Sequence, residues 1–152
     1  MEHLPNKDII QVCIVVRDLD KTLDRYVEIF GVERPKINQV APYEKAKTTY
    51  RGQPSNAQAR LCAFQMGSVM LELTEPDGEP SVWQEFLDKH GEGVCYLGMW
   101  IGDEEETFHY LQEHGIGVMH TGKTMTGSYT CVDSTDALGV IFNLKYRRPD
   151  AQ

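Results

Sequence analysis

The sequence predicts an α+β fold in which one unit, a strand, a helix and about three further strands, occurs twice in a single domain. Three observations carry this. IIQVCIVVRDLDKTLDRYVEIFG and GVCYLGMWIGDEEETFHYLQEHG share a plan at an offset of 85, so that Gln11 meets Tyr96, Asp18 meets Asp103, Thr22 meets Thr107 and Leu23 meets Phe108. VMLEL (69–73) falls on VIFNL (140–144) at an offset of 71. Between the helix and the closing strand, each half carries weaker strand signals in matching order.

The first strand is the apolar run before Asp18. Asp18 is an N-cap residue type, and Leu19, Leu23, Tyr26, Val27 and Phe30 recur at helical spacing up to Gly31, which accepts the left-handed conformation that ends a helix. Strand signals follow at about 34–40, 45–51 and 58–66, and VMLEL closes the first half. SVWQEFLDKHG is a separate short helix, with Ser81 and Gln84 spaced as a capping box and Gly91 as its stop. The second half repeats the plan: an apolar strand, Asp103 with Glu106 as a capping box, Phe108 and Leu111 on one helix face, and Gly115 as the stop. Strand signals at about 116–121 and 127–133 lead to VIFNL. The domain is therefore expected to span 1–152, with module one at about 8–76, the linker helix at about 81–91 and module two at about 93–147.

Composition sets outer limits. A chain of 152 residues, 41% hydrophobic and 25% charged, has the profile of a soluble globular domain. A net charge of −8 argues against nucleic acid, whose phosphates need a basic face. No apolar run reaches the roughly 20 residues of a membrane span. Cys13, Cys62, Cys95 and Cys131 are widely spaced and mostly sit in strand-like runs, as reduced structural cysteines do, so the expected setting is the cytoplasm.

Strand alternation then separates two faces. Val12, Ile14 and Val16 suit the helix-packed face, as do Val69, Leu71 and Leu73, then Cys95, Leu97, Met99 and Ile101, then Val140, Phe142 and Leu144. The opposite face receives Gln11, Cys13 and Val15, then Met70, Glu72 and Thr74, then Tyr96, Gly98 and Trp100, then Ile141, Asn143 and Lys145. Each half so places one polar residue on its first strand and one on its last. Gln11, Glu72, Tyr96 and Asn143 are the candidate floor of one shared cleft, a concave site for a small molecule. Tyr96, Trp100, Asn143, Cys13 and Met70 are the candidate substrate-binding residues, and Glu72 is the candidate catalytic base.

VVRDLDKTLDRYVEIFGVE, MLELTEP, FLDKHGEGV and LGVIFNL resemble the vicinal oxygen chelate superfamily, which includes glyoxalase I, bleomycin resistance proteins and extradiol dioxygenases. The last three stretches look most like methylmalonyl-CoA epimerases. The resemblance implies two βαβββ modules forming a cupped mixed sheet around the shared cleft, and often a homodimer. It implies a divalent metal with one ligand from each of four strands, typically His, Gln or Glu, His and Glu. Those positions read Gln11, Glu72, Tyr96 and Asn143, so Gln11 and Glu72 are the candidate metal ligands. Phenol and amide in place of imidazole and carboxylate predict an altered or absent metal site, with no other cofactor.

The implied activity is that of an isomerase or lyase acting on a small carboxylate or thioester. The alternative is a binding or sequestering protein of the same fold without catalysis. Two loops join the candidates: 50–59 as a flap with Arg51 facing an anion, and the Gly-rich HTGKTMTGS with Lys123 near substrate. His120, ending a strand, is the one histidine placed to approach the cleft.

Overall fold

Asp18 separates the first strand, β1 (Gln11–Val15), from the first helix, α1 (Leu19–Phe30), in a computed structural model that describes residues 1–151. Residue 152, included in the expected domain, lies outside the described residues. The Asp18 carboxylate accepts from the Lys21 N–H, and Gly31, at φ 66°, ends the helix. After the short β2 (Asn38–Gln39), α2 (Tyr43–Ala46), β3 (Thr49–Tyr50) and β4 (Gln53–Pro54), the longer β5 (Arg60–Met66) and β6 (Val69–Glu75) complete the first half. The helix α3 (Val82–His90), capped by Ser81, leads to β7 (Gly93–Trp100) and α4 (Glu104–Glu113), capped by Asp103. β8 (Val118–Lys123), β9 (Gly127–Val132), a four-residue α5 (Thr135–Leu138) and β10 (Ile141–Arg147) finish the chain.

All ten strands belong to one curled mixed sheet, in the order β2-β5-β6-β1-β7-β10-β9-β8-β3-β4. The predicted duplication is visible in the pairing. In each half the opening and closing strands are parallel, β1 with β6 and β7 with β10. The halves join where β1 runs antiparallel to β7. On the outer face α1 seals Leu19 and Leu23 against Leu71 and Leu73, and α4 seals Leu111 against Met99 and Leu144. Burying each such side chain contributes about 1.5–3 kcal/mol, so these seams hold the helices on the sheet.

Three details depart from the sequence reading. The expected strand at 34–40 shrinks to Asn38–Gln39, and 45–51 begins instead as a helical turn. Pro42 opens that turn with its carbonyl accepting from Ala46 N, and Lys47, at φ 49°, ends it. β3 then pairs with β8 (Thr49 opposite Thr121, Tyr50 opposite His120), so residues 40–48 carry the chain from one sheet edge to the other. Next, Cys95 does not face the helix. The β1–β7 register slips after Cys13, which lies opposite Tyr96 while Ile14 lies opposite Val94, and the extra residue turns Cys95 into the inner cluster.

The third departure concerns 50–59, which is anchored and is no flap. Ser55, Ala57 and Ala59 are buried, Ser55 Oγ donates to the Pro80 carbonyl, and Gln58 N donates to Asp77. Arg51 forks onto Glu85 of α3 at 2.8 and 3.0 Å instead of facing a ligand. Burial alone would raise the Glu85 carboxyl, but hydrogen bonds from Arg51, Tyr50 and Lys89 outweigh it and hold the group low. No helix of the described chain is long and apolar enough to cross a membrane.

Candidate functional site

The concave face carries a hydrogen-bonded floor built from four strands. Strand alternation on β1, β6, β7 and β10 turns Gln11, Glu72, Tyr96 and Asn143 inward, as the duplication predicts, and all four are buried. Gln11 Nε2 donates to Glu72 Oε2 at 2.7 Å. Tyr96 Oη and Thr74 Oγ1 each donate to Glu72 Oε1 at 3.0 Å. Trp83 Nε1 donates to Tyr96 Oη at 3.3 Å, and Asn143 Nδ2 reaches Gln11 Oε1 at 3.5 Å. One carboxylate thus collects three donors, the arrangement that makes a buried anion tolerable.

Above this floor opens a cavity of about 580 Å³. Glu72, Tyr96, Asn143 and Trp100 line it, as expected, and Glu72 is its only carboxylate among the described residues. Cys13 and Met70 do not line it. Cys13 lies beneath Glu72 with Sγ 3.5 Å from Thr74 Oγ1, and Met70 pairs with Gln11 along the β1–β6 seam. Gln11 itself is covered, so its contribution reaches the cavity through Glu72.

Sequence reasoning missed several wall residues. Trp83, read only as part of a linker, is buried with Val82 in the inner cluster, so α3 plugs one end of the cup. Its signal was an apolar pair in the first turn, directly after the Ser81 cap. Tyr129 lines the wall from β9, where alternation with Cys131 would have placed it. Lys45, Lys123 and Lys145 all line the cavity, so a strongly acidic chain presents three ammonium groups at one mouth. Lys123 was anticipated; Lys45 was not, because α2 was read as strand. His120 points inward but sits behind the wall, edge-on to Trp83 at 4.6 Å between centroids.

The donor set does not fit a divalent metal of the kind the resemblance implies. It offers one carboxylate, two neutral amides and a phenol. Burial first, then the neighbouring Cys13 and Glu72, push the Tyr96 hydroxyl well above its usual range, so it stays a proton donor and no phenolate ligand. Among the described residues no group of three or more His, Cys, Asp or Glu side chains is placed to hold a metal ion.

Comparison with known proteins agrees with this frame. The family model described as the glyoxalase/bleomycin resistance protein/dioxygenase superfamily matches residues 10–131. No curated protein sequence matches the chain. Among solved structures, methylmalonyl-CoA epimerase from Mycobacterium tuberculosis superposes with a TM-score of 0.64 at 21% identity, covering 93% of this chain and 88% of that one. A Streptomyces coelicolor methylmalonyl-CoA epimerase variant in complex with 2-nitronate-propionyl-CoA gives 0.66 at 20% identity, covering 96% and 98%. A hypothetical protein from Bacillus halodurans gives 0.67 at 17% identity, covering 95% and 97%. At such identities these likenesses speak for the fold. The cupped sheet of paired modules and the family match over most of its length lead to one conclusion: the chain belongs to the glyoxalase/bleomycin resistance protein/dioxygenase, or vicinal oxygen chelate, superfamily.

Proposed function

We propose that the protein is a metal-independent enzyme that moves a proton beside the carbonyl of a small carboxylate or thioester, with Glu72 as the base. The observation that carries this is the solitary Glu72 carboxylate, fixed by three donors and facing a cavity ringed by lysines. Fixing the carboxylate in advance lowers the reorganisation needed when it accepts a proton from carbon. The C–H electron pair passes into the adjacent carbonyl as the proton moves to Glu72, and Asn143 and Lys145, on the same strand face, supply N–H groups for the enolate oxygen. Lys45 and Lys123 attract the anionic part of the substrate. The epimerase neighbours, one in complex with methylmalonyl-CoA, support a thioester as that substrate.

With a single carboxylate in the cavity, the proton is returned from the face that gave it up. That chemistry suits an isomerase or a lyase better than a two-base epimerase. Four buried, unpaired cysteines support a reducing compartment, and a homodimer belongs to the same proposal. The test is α-proton exchange of methylmalonyl-CoA and propionyl-CoA in D2O with EDTA present, followed by NMR. Exchange by the wild type and its loss in Glu72→Gln are expected; no exchange by the wild type with either thioester overturns the reading.

A second reading rests on a different feature of the same floor. The three donors already engage both Glu72 oxygens, which suits a charge kept for binding, and the aromatic walls suit a sequestered apolar compound. Under this reading ligands bind without exchange, and Glu72→Gln changes affinity alone.

A further inference from the structure

Behind the aromatic wall lie three buried polar atoms with no hydrogen-bond partner: Thr48 Oγ1, His120 Nε2 and Tyr129 Oη. Strand register brings them together. Thr49 pairs with Thr121, which sets Thr48 beside Gly122, and Gly122 lies opposite Tyr129. The Tyr129 ring crosses directly over Gly122; a Cβ there would stand 2.4 Å from the hydroxyl oxygen. The phenol is therefore aimed across the bare strand toward Thr48. His120, two residues along the same strand face, stacks on the Tyr129 ring at 5.9 Å between centroids.

The protonation of this cluster follows from its bonds. Val82 N donates to His120 Nδ1 at 3.2 Å, so Nδ1 is an acceptor and the ring proton resides on Nε2. Burial drives the imidazole toward its neutral form. The orphan Nε2–H is thus a neutral donor, and the two other unpartnered atoms are hydroxyls that can donate or accept. No ammonium, guanidinium or carboxylate belongs to the trio. A charged group would meet no counter-ion here, whereas a neutral oxygen would meet up to three partners.

We infer that His120, Tyr129 and Thr48 form a polar subsite at the inner end of the cavity that takes a neutral carbonyl oxygen of the bound molecule. Tyr129 and Trp83 line the cavity and also pack on His120, so their rings stand between the cavity and the trio. The subsite rests on the cavity being a ligand site and is independent of the role of Glu72. The bare Gly122 seats the Tyr129 ring in its present place, and displacement of that ring would open the trio to the cavity.

A matched pair of probes tests this: acetophenone, which carries the carbonyl, and ethylbenzene, of nearly the same shape without it. Acetophenone is expected to bind about tenfold more tightly, as one hydrogen bond to a buried donor allows, and to shift the His120 Nε2 resonance in long-range ¹H–¹⁵N spectra. Tyr129→Phe and Thr48→Val are expected to shrink the preference while leaving ethylbenzene affinity unchanged. Equal affinity for the two probes, failure of the ketone to bind, or an unmoved Nε2 signal overturns the inference, the last by showing that the trio holds only water. Loss of proton exchange in Glu72→Gln with the ketone preference intact separates this result from that of the base.

Discussion

Gly98 lies directly across the module boundary from Gln11, so close that a Cβ on it would stand 2.6 Å from Gln11 Oε1. The strand holding Gln11 is paired on both sides, to β6 and β7, so its backbone cannot retreat. Gly98→Ala should therefore swing the Gln11 amide away and break its 2.7 Å bond to Glu72, costing about 1–3 kcal/mol. A double-mutant cycle in urea checks the cause: Gln11→Ala should cost less in the Gly98→Ala background than alone.

Tyr96 is the hinge of the floor, because its hydroxyl accepts from Trp83 and donates to Glu72. Tyr96→Phe leaves the indole N–H of Trp83 without an acceptor and Glu72 Oε1 with one donor fewer. About 1–3 kcal/mol of stability should be lost, measured by denaturant unfolding. If the hydroxyl were merely incidental, Phe would be neutral or stabilising at so buried a position.

The mismatch of the four-strand donor set predicts a gain of function. Dialysis of the wild type against EDTA, or addition of Zn²⁺ or Co²⁺, should leave its Tm unchanged. Tyr96→His combined with Asn143→Glu restores an imidazole and a second carboxylate at the positions where the resemblance expects them. That double variant should bind about one Co²⁺ per chain, visible in its absorption spectrum. Tight stoichiometric metal in the wild type would falsify the metal-independent reading.

The duplication was legible because it leaves two kinds of trace that survive divergence: the capped helices at Asp18 and Asp103, and the apolar alternation of VMLEL and VIFNL. The same alternation put Glu72, Tyr96 and Asn143 on one floor. What escaped it has physical causes. The inward turn of Cys95 depends on a bulge, which shifts register without changing residue type. The crossing of 40–48 to the far sheet edge depends on long-range pairing of only two residues, Thr49 and Tyr50. Trp83 looked like part of a connecting helix because its burial comes from strands on either side of the cup.

His120 gives the clearest pH dependence. Burial lowers its pKa from 6.5 to about 4, and the groups packed on it, Trp83 from α3, Tyr129 from β9 and Tyr50 across β3, bring no carboxylate to stabilise the cation. Between those two values the unfolded chain binds a proton that the folded chain refuses. Stability from this group is then complete above about pH 6.5 and declines as pH falls toward about 4. The decline should total about 3 kcal/mol across the window, to order of magnitude. The other four histidines are exposed. Urea midpoints measured from pH 7 to pH 4 should therefore fall less steeply in His120→Gln than in the wild type, since an amide can keep the bond from Val82 N without acquiring a charge. Parallel slopes would mean that the imidazole takes its proton without leaving its place behind Trp83.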